Sequence, residues 1–196
     1  PDINKAIHYL QMAADQNFYQ AYYFLGKLYL QKNEVSKSIH YLSLSADNYD
    51  DQTSQYLLGK IYSKEKYQNL NINKAIAYFV KLANNSIATY LAQYQLGKIY
   101  SRNKFINHDL EKAIYYYQLA ANQNHVKSQY HLGLIYLDKK SKFYDLNKSI
   151  FYFSYAAEKN NDIISQYRLG LIYLENRFVY DINKAIYYFT LAANQN

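Results

Sequence analysis

The chain has 196 residues, half of them hydrophobic, which is enough to bury a sizeable core and excludes a disordered tail. It has no Cys, one Pro and five Gly, which excludes disulfide frameworks, thiolate metal sites and folds of many short strands joined by tight turns. The net charge of +7 suits nucleic acid or acidic partners, but Lys, Asn, Ile, Tyr and Phe are residues that AT-rich codons favour, so the Lys excess also reads as composition drift.

The first predicted element, DINKAIHYLQMAADQN over Asp2 to Asn17, is a helix. The last, DINKAIYYFTLAANQN over Asp181 to Asn196, matches it at eleven of sixteen positions, 179 residues later. Between them Lys-[Ala/Ser]-Ile recurs. Its copies start at Lys5, Lys37, Lys74, Lys112, Lys148 and Lys184, with spacings of 32, 37, 38, 36 and 36. A second word, Tyr-x-Leu-Gly-x-[Leu/Ile]-Tyr, alternates with it around Gly26, Gly59, Gly97, Gly133 and Gly170. A fixed period of this size is the mark of a repeat architecture, and both ends of the chain carry the same half of one repeat.

Each word sits in a predicted helix. In the last copy of the Lys word the apolar residues are Ile182, Ala185, Ile186, Phe189, Ala192 and Ala193, one face of an α-helix. Each copy opens on a residue suited to an N-cap, three before its Lys: Asp2, Glu34, Asn71, Asp109, Asp145 and Asp181. Each is expected to close on Asn, at Asn17, Asn48, Asn124, Asn160 and Asn196, the best residue after Gly for a left-handed stop. A Gly inside a helix costs about 1 kcal/mol against Ala. Its presence in all five copies of the Gly word predicts a facing helix that touches the backbone there. Small residues five positions earlier (Ala21, Ser54, Ala92, Ser128, Ser165) and after each Lys point the same way.

One helix pair cannot bury its apolar face alone, whereas stacked pairs can. The expected fold is therefore all-α, an α-solenoid of stacked antiparallel helix pairs. Residues 1–17 form a half repeat, the second helix only. Five pairs follow over 18–48, 49–85, 86–124, 125–160 and 161–196. No apolar run is long enough to span a membrane, and no secretory signal is visible. The start at Pro1 reads as a piece of a longer polypeptide with flanking segments.

These words resemble the Sel1-like repeat, a relative of the tetratricopeptide repeat. Ala92, Leu96, Gly97 and Tyr100 match its first helix, and Asp109, Lys112, Ala113, Tyr116, Ala120 and Ala121 its second. The resemblance covers essentially the whole chain. The family's Gly-rich inter-helix loop is replaced here by Gly-free stretches such as Ser63 to Asn71, and its closing Gly by Asn. The resemblance implies a scaffold that holds other proteins together.

His8 and His40 occupy matching places, where later repeats carry Ala77, Tyr115, Phe151 and Tyr187. That pattern reads as a half-buried packing site. Stacked helices lie about 8–10 Å apart, too far for one zinc with Zn–N bonds of about 2.1 Å. His125 and His131 are six apart on a presumed helix, which is not the i, i+4 spacing of a metal pair. No nucleophile triad, paired-carboxylate or phosphate-loop pattern appears, so neither an enzyme nor a cofactor is implied. Two N-x-Ser sequons, at Asn84 and Asn147, are expected by chance in so Asn-rich a chain.

The sharper candidate is a row on the Gly-word helices. Tyr23, Tyr56, Tyr94, Tyr130 and Tyr167 stand three before each Gly, and Lys27, Lys60, Lys98, Leu134 and Leu171 one after. These pairs are i and i+4, on one face and opposite to the Leu that precedes each Gly. By resemblance to tetratricopeptide-like folds they line a concave groove. Such a groove suits a protein or peptide that is acidic at one end and apolar at the other, because Tyr offers rigid area and Lys attracts carboxylates. The same Tyr row could instead pack between first helices and bind nothing. Two further readings stand beside the groove: a nucleic-acid-binding helical repeat, and an architectural spacer or self-associating module. Lys far outnumbers Arg and no base-reading pair recurs at fixed places, which weighs against nucleic acid.

Overall fold

The computed structural model describes residues 2–67, 69–84, 89–102 and 107–195. Among them the regular structure is helical throughout. The repeat boundary expected at 85/86, part of the sequon that begins at Asn84, and the stop at Asn196 lie outside the described residues.

The chain divides into two compact units, Pro1–His108 and Asp109–Asn196. The first holds α1 (Ile3–Asp15), α2 (Gln20–Gln31), α3 (Val35–Tyr49), α4 (Gln52–Tyr62), α5 (Ile72–Ala83) and α6 (Thr89–Tyr100). The second holds α7 (Leu110–Ala121), α8 (Val126–Leu137), α9 (Leu146–Ser154), α10 (Ile163–Glu175) and α11 (Ile182–Ala193). Within each unit every helix packs on its neighbours in sequence. Gly-word helices are followed by Lys-word helices, as the all-α stacked-pair reading expects.

The helix starts follow the predicted caps, with one exception. Asn71, Asp109, Asp145 and Asp181 each accept a 3.0 Å hydrogen bond from the N–H of the Lys three residues on, and Asp2 accepts from Asn4 and Lys5. Glu34 makes no side-chain cap. Its longer carboxylate turns to Lys37 at 2.7 Å and Lys32 at 3.1 Å.

Two predicted stops are also corrected. Asn17 and Asn124 adopt left-handed backbone at φ 62°, but Asp50 and Asn161 do so in place of Asn48 and Asn160. Thirteen residues separate Lys37 from Asp50 and Lys148 from Asn161, against twelve from Lys5 to Asn17. In α3 the extra residue lengthens the helix, while α9 absorbs it as a π turn over Tyr155–Lys159.

No Gly has a positive φ, and Gly26, Gly59, Gly133 and Gly170 serve close approach. A Cβ on Gly59 would lie 2.7 Å from the Phe79 ring, one on Gly133 2.7 Å from Phe153, and one on Gly170 2.5 Å from Phe189. At Gly26 the intruding side chain is Leu42, again at 2.5 Å. The Leu before each Gly (Leu25, Leu58, Leu96, Leu132, Leu169) is fully buried, and so are Phe79 and Phe153. Sealing a side chain of this size contributes about 1.5–3 kcal/mol. Ser149, in the sequon at Asn147, is also buried, and its hydroxyl donates to the Gly133 carbonyl at 2.9 Å.

Candidate functional site

The candidate Tyr and Lys or Leu positions lie across the helix from the buried Leu that precedes each Gly. In the first unit Tyr23, Tyr56 and Tyr94 are half-buried and Lys27 is exposed. Tyr56 rests edge-on against Phe79, with centroids 5.8 Å apart, and its hydroxyl accepts from the Gln95 amide at 3.1 Å. Lys60 Nζ lies 5.5 Å from the centre of the Tyr56 ring, and Lys98 Nζ stands at the same distance from Tyr94. These are cation–π pairs between residues i and i+4. Burial pushes the Tyr94 phenol above its ordinary pKa, with Tyr56 adding to the effect and Arg102 opposing it.

The second unit differs. Tyr130 leans on Phe153 at 5.8 Å and Tyr167 on Phe189 at 5.6 Å. Leu134 packs against the cluster around Phe153, Leu169 and Ile172, and Leu171 is half-buried. Tyr167 is 51% exposed. At Gly59, Gly133 and Gly170 the ring that fills the notch thus also supports the Tyr three residues before the Gly.

Two features went unread in the sequence. First, the two repeat words touch. Lys37, Lys74, Lys148 and Lys184 place their ammonium groups 5.0–5.3 Å from the centres of the Tyr29, Tyr62, Tyr136 and Tyr173 rings, which close the preceding Gly words. Under each of these rings a second Tyr stacks within 5° of parallel: Tyr41, Tyr78, Tyr152 and Tyr188. The carbonyl of each first Tyr also accepts the N–H of the residue that opens the next helix, at 2.8–2.9 Å. The Lys word therefore fastens one helix to the other across loops of different length. Its Lys residues also pair with their own caps, as in Lys148–Asp145 and Lys184–Asp181.

Second, Gln55, Gln93, Gln129 and Gln166 are buried at the position before the candidate Tyr. The amides of Gln55, Gln129 and Gln166 reach the carbonyls of Ala46, Ala121 and Ala157 at the end of the preceding helix. They satisfy acceptors that a helix end leaves open. The recurring Gln-Tyr pair was the available signal.

The His8 row is corrected. His8, His40, Ala77, Tyr115, Phe151 and Tyr187 are all exposed, because this side of the Lys-word helices faces solvent. His125 is the residue before α8 and not part of it, and its Nδ1 lies 2.9 Å from Ser128 Oγ. Burial and then Lys127 lower its pKa. His131 stacks on Tyr117 at 5.1 Å. Among the described residues no three His, Cys, Asp or Glu side chains gather where a metal could bind. An open cavity of about 360 Å³ beside Tyr136 and Phe143 has its charges paired within its own walls, Glu111 with Lys142 and Asp145 with Lys148. Among the described residues no helix is long and apolar enough to cross a membrane.

The Sel1 repeat family matches six stretches of the chain, residues 1–18, 20–50, 52–86, 91–125, 126–161 and 163–196. Among solved structures, a Sel1 repeat protein from Oxalobacter formigenes is 24% identical, with a TM-score of 0.69 over 100% of this chain and 80% of that one. A protective antigen from uropathogenic Escherichia coli with an SLR fold is also 24% identical, with a TM-score of 0.76 over 99% of this chain. This chain spans 42% of that antigen's length. No curated protein matches.

Proposed function

Because the chain belongs to the Sel1 repeat family, whose members are commonly protein-interaction scaffolds and generally non-catalytic, we propose that it is a non-enzymatic scaffold holding a protein or peptide on its Gly-word helices. In the first unit Tyr23, Lys27, Tyr56, Lys60, Tyr94 and Lys98 receive an acidic segment. In the second, Tyr130, Leu134, Tyr167 and Leu171 receive an apolar one.

One observation supports this reading above the rest. Four of the six Lys residues of the other word, Lys37, Lys112, Lys148 and Lys184, each pair with a carboxylate of their own helix start. Among the described residues Lys27 and Lys60 make no such pair, and Lys60 is instead steadied by the Tyr56 ring. A cation held in place but not neutralised is available to a partner's carboxylate.

The test is a nuclease-treated pull-down with this chain as bait. Beside it runs a Lys60→Glu, Tyr94→Ala, Lys98→Glu variant whose circular dichroism matches the wild type. A protein held by the wild type and lost by the variant is the expected result. Equal retention by both would overturn the reading, and loss of binding on nuclease treatment would transfer it to nucleic acid.

A further inference from the structure

The two repeat words stack Tyr on Tyr inside the helix pairs, as in Tyr29–Tyr41, Tyr62–Tyr78, Tyr136–Tyr152 and Tyr173–Tyr188. Their ring centroids lie 5.4–6.2 Å apart, and none of these rings is exposed. A further stack is closer and open to solvent. Tyr19 and Tyr49 have centroids 4.8 Å apart and planes 22° from parallel, and they are 45% and 43% exposed.

The repeat does not account for this pair. Tyr19 stands seven residues before Gly26, where the other copies carry Gln52, Tyr90, Val126 and Ile163. Tyr49 stands twelve after Lys37, where the other copies carry Asn17, Ser86, Asn124, Asn160 and Asn196. In no other copy do both places carry Tyr. Tyr19 caps the start of α2 and Tyr49 is the last residue of α3, so the stack ties the two together. The backbone is fixed beside each ring. Next to Tyr49, Asp50 is held by Lys81 at 2.6 Å and by the Gln55 amide at 2.7 Å. Next to Tyr19, the Phe18 N–H donates to the Ala13 carbonyl at 3.0 Å, and the Phe18 carbonyl accepts from Ala21. Two phenols are therefore held face to face where an oxidant can reach both.

We propose that Tyr19 and Tyr49 form an oxidative modification site, where a one-electron oxidant such as a peroxidase working on hydrogen peroxide couples the two rings into a dityrosine bridge. Each phenol gives up one electron and one proton and becomes a phenoxyl radical. The radicals join by a carbon–carbon bond between the positions ortho to their oxygens. The hydrogens on those two carbons then move to the oxygens, which restores both phenols. Two electrons and two protons have passed to the oxidant, and one hydrogen peroxide takes them up to become two waters. The coupled rings turn about the new bond, which exposed rings can do and a ring such as Tyr136, 6% exposed, has no room to do. Tyr22 is a rival partner for Tyr49, but its centroid is 6.1 Å away and its ring is half-buried. Like a disulfide, the bridge restricts the unfolded chain, here across residues 19 to 49. The site uses none of the Tyr and Lys residues assigned above to partner binding.

The test treats the full chain at micromolar concentration with peroxidase and hydrogen peroxide. Groups tethered on one chain meet at effective concentrations of about millimolar, so the bridge forms within monomers. The expected product is a monomer lighter by two hydrogens, with dityrosine fluorescence. Its tryptic digest yields residues 6–27 joined to residues 38–60. Tyr19→Phe and Tyr49→Phe keep a ring in the stack but remove a phenol, and each should abolish this linked pair while circular dichroism stays that of the wild type. Tyr22→Phe should leave its yield unchanged. An oxidised wild type without the linked pair, or with it only in dimers, would overturn the proposal. So would an undiminished yield from either of the first two variants.

Discussion

Replacing Gly133 by Ala tests why a helix of this protein tolerates its worst non-Pro residue. The new Cβ would stand 2.7–2.8 Å from three carbons of the Phe153 ring, which is itself 0% exposed and has no room to retreat. Overpacking of this kind costs about 1–3 kcal/mol, while Ala in place of Gly in a helix interior gains about 1 kcal/mol. The expected net effect is a destabilisation centred near 1 kcal/mol. Phe153→Ala removes the ring, at a cost of about 3–5 kcal/mol. In that background Gly133→Ala meets open space and should stabilise by about 1 kcal/mol. The sign of one substitution thus reverses with the residue it faces, and the coupling is about 2 kcal/mol. Urea unfolding followed by circular dichroism reads it as opposite shifts of the midpoint at constant slope. A stabilising Gly133→Ala in both backgrounds would refute close approach as the reason for the Gly. The Gly59 and Phe79 pair offers the same cycle in the other unit.

Asp181→Ala should cost about 1 kcal/mol through loss of the helix cap, seen as a lower urea midpoint. Glu34→Asp should raise the midpoint, because the shorter carboxylate can reach the N–H that Glu34 leaves uncapped; a lower midpoint would mean that its pairs with Lys32 and Lys37 matter more. Gln166→Leu should cost about 1–3 kcal/mol by stripping the Ala157 carbonyl of its donor, and a neutral result would dismiss the buried Gln row as incidental. Stability should also depend on pH. Hydrogen bonds to Lys37 and Lys81 hold the Glu34 and Asp50 carboxyls below their ordinary pKa, and the backbone N–H groups of Lys112 and Lys148 do so for Asp109 and Asp145. With folded values below unfolded ones, their contribution is full above about pH 4–5 and is lost as pH falls through the folded values. A urea midpoint that stays level from pH 6 down to pH 3 would contradict this.

The helix starts are legible in the sequence because capping is local: an Asp and the N–H three residues on need nothing from the rest of the fold. The Gly notches are legible because a Gly at one helical place in every copy costs stability each time unless a neighbour fills the space it leaves. Features set by a neighbouring helix are harder. Lys148 looks like a solvated surface residue in the sequence because its partner Tyr136 lies twelve positions back, on another helix. Gln129 looks polar and external because the carbonyl it meets belongs to the end of α7. The His8 row departs from expectation for a related reason. Periodicity identifies a helix's apolar stripe, but which of its flanks a neighbour covers depends on the stacking. The displaced stops reflect one extra residue, which the chain takes up as a longer α3 in one place and a π turn in another.

The claim that the Gly-word helices hold a protein partner is tested most directly by site-specific photo-cross-linking. A photoreactive residue is placed singly at Lys60 or Lys98, and separately at Tyr115 or Tyr187 on the exposed side of the Lys-word helices. The account predicts nuclease-resistant cross-links to a protein from positions 60 and 98, and none from 115 or 187. Cross-links from 115 or 187, with none from 60 or 98, would contradict it and move the binding face to the other side of the helix pairs.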